Sequence, residues 1–228
     1  MRNLLKETHD RILREENNSY IRRVSWLDLH DKVYYFFQFL ESNKNADIFG
    51  SFYFSSNQDY TPYSENRNIY RLNSLNQIQI HTGHRISSIY HAGKGNKLEV
   101  IYEKASTLWF SQDITGGVAV FLSPYISSTH RVDEENVLIK YYHQPTSITN
   151  KEVKKILKTY IKYCEATMAF STGKRGLYFF RLWLQFKDLR NRKKIKAFSI
   201  KIIAQALALL LAGLGVVATL YTGNVIKF

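Results

Sequence analysis

From residue 26 to residue 40 the apolar positions recur every three or four residues, at Trp26, Leu29, Val33, Phe36, Phe37 and Leu40. That spacing predicts an amphipathic helix. Ser25, with Asp28 three residues on, supplies a start signal of the capping-box kind. A weaker stripe, Leu4, Leu5, Ile12 and Leu13, predicts an earlier helix over about 3–16. The clearest helical period is later: Val153, Ile156, Leu157, Tyr160, Ile161 and Cys164 follow Thr149 and Glu152, which are spaced as a capping box. This places a third helix over 149–168.

Between these helices the period changes from three or four to two. β-Branched and aromatic residues gather in short runs broken by Gly, Asn and Ser, predicting strands over 48–54, 69–72, 78–81, 86–91, 98–102, 107–110, 118–122 and 137–142. Gly93-Lys-Gly-Asn96 reads as a hairpin turn, and an antiparallel meander is the economical way to join so many short strands. The fold class expected is therefore α+β. An antiparallel, β-rich domain over 47–173, ending in its helix, follows an N-terminal helical segment over 1–46.

The pattern changes once more near the C-terminal end. Residues 202–221, IIAQALALLLAGLGVVATLY, carry no charge, and only Gln205 and Thr219 are polar. Twenty residues rising 1.5 Å each cover about 30 Å, the thickness of a hydrocarbon core. A buried helix in a domain of this size would show a polar stripe, so a single transmembrane helix with a short outer tail, 222–228, is expected. Small residues at Ala204, Ala208 and Ala212, continued by Gly215 and Thr219, let neighbouring backbones approach closely, and Gln205 gains from an amide partner in an oligomer.

Charge then fixes the orientation. The formal net charge is +13, a value that could mark a nucleic-acid binder. Its distribution argues otherwise: residues 174–201 hold ten Lys and Arg against Asp188, whereas 1–173 hold 21 basic and 18 acidic residues. The surplus sits beside the apolar run, with Lys193, Lys194, Lys196 and Lys201 nearest to it. The positive-inside rule then leaves the N-terminal domain in the cytoplasm, as a single-pass, tail-anchored protein of the inner membrane with no secretory signal at its start. A single cysteine, Cys164, fits a reducing compartment.

Within the basic stretch, residues 176–189 crowd Leu177, Tyr178, Phe179, Phe180, Leu182, Trp183, Leu184 and Phe186 around Arg181. Such a segment lies in the headgroup region as an interfacial helix, or packs on the soluble domain; the residues alone leave both readings open.

Chemistry is sparse. His81, His84 and His91 cluster without a thiol or acid beside them, so no metal site is expected and no cofactor is implied. There is no nucleophile elbow or phosphate loop, and an enzyme is not the expected class. Arg67, Arg71, Arg85, Lys94 and Lys97 lie in or near turns of a region rich in Tyr, including Tyr53, Tyr60, Tyr63, Tyr70 and Tyr90. They are the candidate contacts for a nucleotide or oligonucleotide; a solvated sheet rim is the plainer account of the same residues.

Two resemblances bear on function. Arg23 with His30, and Arg85 with His91, are similar to the Arg/His pairs of small helical ribonucleases, although that family is all-helical and the middle of this chain is strand. In layout, a small cytosolic domain joined to a minimal self-associating anchor resembles the membrane effectors of bacterial antiphage systems. That resemblance implies a homo-oligomeric pore or channel in the lipid bilayer, controlled by a nucleotide signal. The alternatives are a tail-anchored adaptor that tethers a protein partner to the membrane and, behind it, a membrane-bound ribonuclease using Arg23 and His30.

Overall fold

The computed structural model describes residues 2–56, 76–92, 98–127, 136–170 and 175–191. It is α+β with antiparallel sheets and N-terminal helices, as the patterning implies. Met1–Gln185 form one compact unit, and the chain from Phe186 onward forms another.

Helix α1 spans Arg2–Val24, eight residues beyond the expected end at 16, and α2 spans Trp26–Glu41. Ser25 is not the cap that its spacing suggested. It has helical angles (φ −64°, ψ −9°), and its hydroxyl and N–H both donate to the Ile21 carbonyl, at 3.0 and 3.1 Å. The backbone thus bends between two helices without unwinding, which leaves no N-terminus to cap. On α2, Trp26, Leu29, Val33 and Phe37 are buried, whereas Phe36 and Leu40 are only partly so. The stripe of Leu4, Leu5, Ile12 and Leu13 on α1 stays exposed. The C-terminal end of α1 is held to the domain by Arg22, which donates to Thr115 O at 3.1 Å, and by Arg23, which donates to Ile114 O.

A strand starting at residue 48 does not form. Residues Lys44–Phe49 make a 3-10 helix instead, and β1 begins at Phe52 (Phe52–Ser56). The reason is local. Asn43 accepts a hydrogen bond from Asn45 N–H at 3.0 Å, which starts a turn, and Gly50 ends it at φ +83°.

The main sheet has the order β1-β2-β5-β6-β8, antiparallel throughout, with β2 Gln77–Thr82, β5 Thr107–Gln112, β6 Val118–Ser123 and β8 Val137–Tyr142. Burial alternates residue by residue along β2, β5 and β6, so one face is fully covered. Ile78, Ile80, Leu108, Phe110, Val118, Val120 and Leu122 project there and meet α2 and α3. Helix α3 (Asn150–Thr167) begins where Thr149 Oγ1 accepts from Glu152 N–H at 3.4 Å. The capping box is half realised, because the Glu152 carboxylate goes to Lys140 and Tyr142, at 2.5 and 2.7 Å, rather than back to the cap. Val153, Ile156, Leu157, Tyr160 and Cys164 are buried as expected, but Tyr163 rather than Ile161 completes the inner face.

The strands do not form one meander. After Thr82 the chain leaves the main sheet, builds the pair β3 (Arg85–Ala92) and β4 (Leu98–Lys104), and returns as β5 beside β2. With β7 (Ile126–Ser127), this pair forms a second sheet of order β3-β4-β7. Alternation identifies strands but not their neighbours, and β2 already has β1 and β5 on its two edges. The excursion turns on a glycine contact. Gly83 N–H donates to Gly50 O at 3.0 Å, and a side chain at residue 83 would run into that carbonyl.

The expected strand at 69–72 and the turn at 93–96 lie outside the described residues, as does the expected span. Among the described residues no helix is long and apolar enough to cross a membrane.

Candidate membrane-facing surface

Residues Arg175–Lys187 form one helix, α4. At 3.6 residues per turn its apolar side chains separate into two opposed arcs. Leu177, Phe180 and Leu184 lie on one arc: Leu177 and Leu184 are buried, Leu184 being 2% exposed, and Phe180 packs against the core. This inner arc is tied down further by Arg181, whose guanidinium donates to Ala166 O at 3.4 Å, and by Lys162, whose ammonium sits 4.5 Å from the Phe180 ring centre. The other arc carries Tyr178, Phe179, Leu182, Trp183 and Phe186, all exposed, with Trp183 at 50%.

The inner arc packs on the domain, and the outer arc is left as an exposed apolar face. The separating signal was present in the sequence as the spacing i, i+1, i+4, i+5, i+8 from Tyr178 to Phe186, which is one side of a helix. Read as a continuous run, the residues conceal it.

Beyond α4 the chain makes a single 3-10 turn, Leu189–Asn191. The Asp188 carboxylate accepts from the Arg190 backbone N–H at 2.9 Å and from its guanidinium, through Nε at 3.1 and 3.2 Å and through Nη2 at 2.7 Å. The only acid of the basic stretch is thus engaged by its near neighbour. Lys193, Lys194, Lys196 and Lys201, together with the packing positions Ala204, Gln205, Ala208, Ala212, Gly215 and Thr219, lie outside the described residues.

Of the candidate ligand contacts, Arg67, Arg71, Lys94 and Lys97 also lie outside them, which leaves Arg85. Its guanidinium donates to Glu103 Oε2 at 2.6 Å and lies 5.9 Å from the Phe170 ring centre. Glu103 is 3% exposed, and its other oxygen accepts from Ala169 N–H at 2.6 Å. Arg85 therefore clamps β3 to β4, and through Glu103 it ties the small sheet to the segment that follows α3. Around it, Tyr53 stacks on His81 with ring centres 5.5 Å apart, and His84 meets Tyr102 edge to face at 5.7 Å. Tyr53, His84 and Tyr102 are exposed, which leaves aromatic and imidazole rings open beside the clamp.

Among the described residues no group of three or more His, Cys, Asp or Glu side chains could hold a metal ion. Arg23 and His30 do not share a helix. His30 is buried on α2, its ring 5.4 Å from Phe54, whereas Arg23 belongs to α1. Cys164 is fully buried, and that burial pushes its thiol up to about 12, so it is not a poised nucleophile. No protein family, curated protein or solved structure matches this chain.

Proposed function

We propose that the chain is an oligomeric membrane effector: a cytosolic α+β domain, anchored by residues 202–221, that controls a pore or channel in response to a nucleotide or oligonucleotide signal. One observation carries this reading. The inner face of α4 packs on the domain core through Phe180 and Leu184, with Leu177 also buried, so the helix that precedes the basic stretch is itself a packed part of the domain. A passive anchor needs only a flexible linker, whereas an element that carries a domain rearrangement toward the membrane needs packing of this kind.

A single helix per chain cannot enclose a channel, so the reading requires several copies. The small residues Ala204, Ala208, Ala212 and Gly215 allow close helix approach, and Gln205, Thr219 and Thr222 are the polar groups that a water-filled path would use. Lys193, Lys194, Lys196 and Lys201 would ring its cytoplasmic mouth. On the signal side, the exposed rings of Tyr53, His84 and Tyr102 suit base stacking, while Arg67, Arg71, Lys94 and Lys97 supply charge that Arg85, engaged by Glu103, supplies less freely.

Ion flux through liposomes carrying the purified full chain tests the proposal. Flux that changes with added nucleotides or short oligonucleotides is the expected result. No flux under any of these conditions, together with specific capture of one protein partner by the cytosolic domain, replaces the channel with a tether.

A further inference from the structure

We infer that the outer face of α4, formed by Tyr178, Phe179, Leu182, Trp183 and Phe186, is a docking surface for an anionic bilayer, and that it holds the domain against the membrane in one orientation. The inference rests on reading residues 202–221 as an anchor and names the partner of the segment that precedes them.

Three observations select lipid as the occupant. The first is geometric: the opposite face of α4 is already buried in the core of its own unit, so the exposed arc cannot be covered by α4 turning over. The second is chemical. Four of the five side chains, all but Leu182, are aromatic, and Tyr and Trp favour the boundary between acyl chains and headgroups, where a ring is half in apolar surroundings and half in wet ones. The third is electrostatic. Arg175 and Lys187 sit on the same helix, and residues 174–201 carry nine more positive than negative charges. Each basic side chain near an anionic leaflet contributes about 1 kcal/mol. A protein partner would have to match a concentrated positive field, and a membrane of anionic lipid offers that match wherever the anchor lies.

The consequence is orientational. A span alone leaves the cytosolic domain free to rotate about its linker, whereas a helix about 20 Å long, lying in the headgroup plane with its inner side in the domain core, fixes which surface of the domain faces the bilayer.

Trp183 is a built-in probe, because Trp26 is buried and Trp109 is half-buried. The full chain is reconstituted in vesicles of phosphatidylcholine with or without phosphatidylglycerol, containing lipids brominated on the upper part of the acyl chain. Expected are vesicle flotation and lipid-dependent quenching of emission, stronger with phosphatidylglycerol. The quenchable component should be lost in Trp183→Phe and strongly reduced in a Phe179→Glu/Leu182→Glu variant, which changes only exposed positions. Flotation without quenching overturns the docking and leaves the anchor standing. Quenching in a chain that alkaline carbonate strips from the vesicles keeps the docking and overturns the anchor. A chain that does not float at all overturns both.

Discussion

Glu103 holds Arg85 at 2.6 Å across the β3–β4 pair while its second oxygen accepts from Ala169 N–H at the same distance. Removing the carboxylate strands a largely buried guanidinium and a backbone donor together. Glu103→Ala is expected to cost about 3 kcal/mol of stability, and Glu103→Gln less, because the amide oxygen still accepts one bond. Thermal or urea unfolding of the two variants against the parent measures the difference.

Cys164 is fully buried, with its sulfur 3.5 Å from Ser106 Oγ, and its thiol is held protonated well beyond neutral pH. The native protein is expected to leave this thiol unreacted toward a disulfide reagent at pH 8 and to release one equivalent on unfolding. Rapid reaction in the folded state would mean that α3 opens locally.

Asp113 organises the turn between β5 and β6. Partial burial works to raise its pKa, but hydrogen bonds from Tyr141 O–H at 2.6 Å, from the Thr115 hydroxyl and from the N–H groups of Gly117 and Thr115 outweigh it, and the result lies below the ordinary 3.8. A depressed carboxylate stabilises the fold fully above its unfolded value and loses that contribution as pH falls through the folded one. Asp113→Asn should therefore cost about 1–2 kcal/mol at pH 7, through the lost Tyr141 bond. The gap to the parent should narrow as the pH is lowered from about 4 toward 2. Chemical denaturation at several acidic pH values checks both points.

In the apolar run, Ala208→Leu and Gly215→Leu are expected to weaken assembly by blocking close helix approach, and Leu209→Ala to matter less. Native mass spectrometry in detergent reads the copy number. Unchanged particles in both bulky variants would remove the small residues from the interface.

Much of this architecture is legible in the residues, for reasons that can be named. The alternation in Gln77–Thr82 and Thr107–Gln112 and the helical period from Val153 to Cys164 report burial on one face, and burial is what a sequence pattern encodes. Three features were not legible in the same way. The 3-10 helix at Lys44–Phe49 depends on side-chain-to-backbone bonding by Asn43, which competes with an apparently strand-like run beginning at Ile48 and Phe49. The split into two sheets depends on which edges are free, a property of the assembled fold. The engagement of Arg85 depends on Glu103, eighteen residues away and directly opposite it in the register. For the surface of α4 the position is reversed: the spacing of its aromatics was in the sequence, and the knowledge of which face the core takes came from the structure.

The excursion between β2 and β5 bears on how the chain folds. Thr82 and Ser106 face each other at its base, with Thr82 N–H donating to Ser106 O at 3.0 Å and Ser106 N–H to Thr82 Oγ1 at 3.0 Å, across a separation of 24 residues. Closing that loop from an open chain carries an entropy cost that grows with the logarithm of its length. Once β3 and β4 pair up to Arg85 and Glu103, only Gly83, His84, Lys104 and Ala105 separate the paired residues from Thr82 and Ser106, which lowers the closure cost by about 1 kcal/mol. The small sheet is therefore expected to act as a template for the central pair of the large one. Weakening it at an exposed cross-strand pair such as Ile86 and Tyr102 is expected to slow folding more than it hastens unfolding, which stopped-flow refolding and unfolding rates of Ile86→Ala measure.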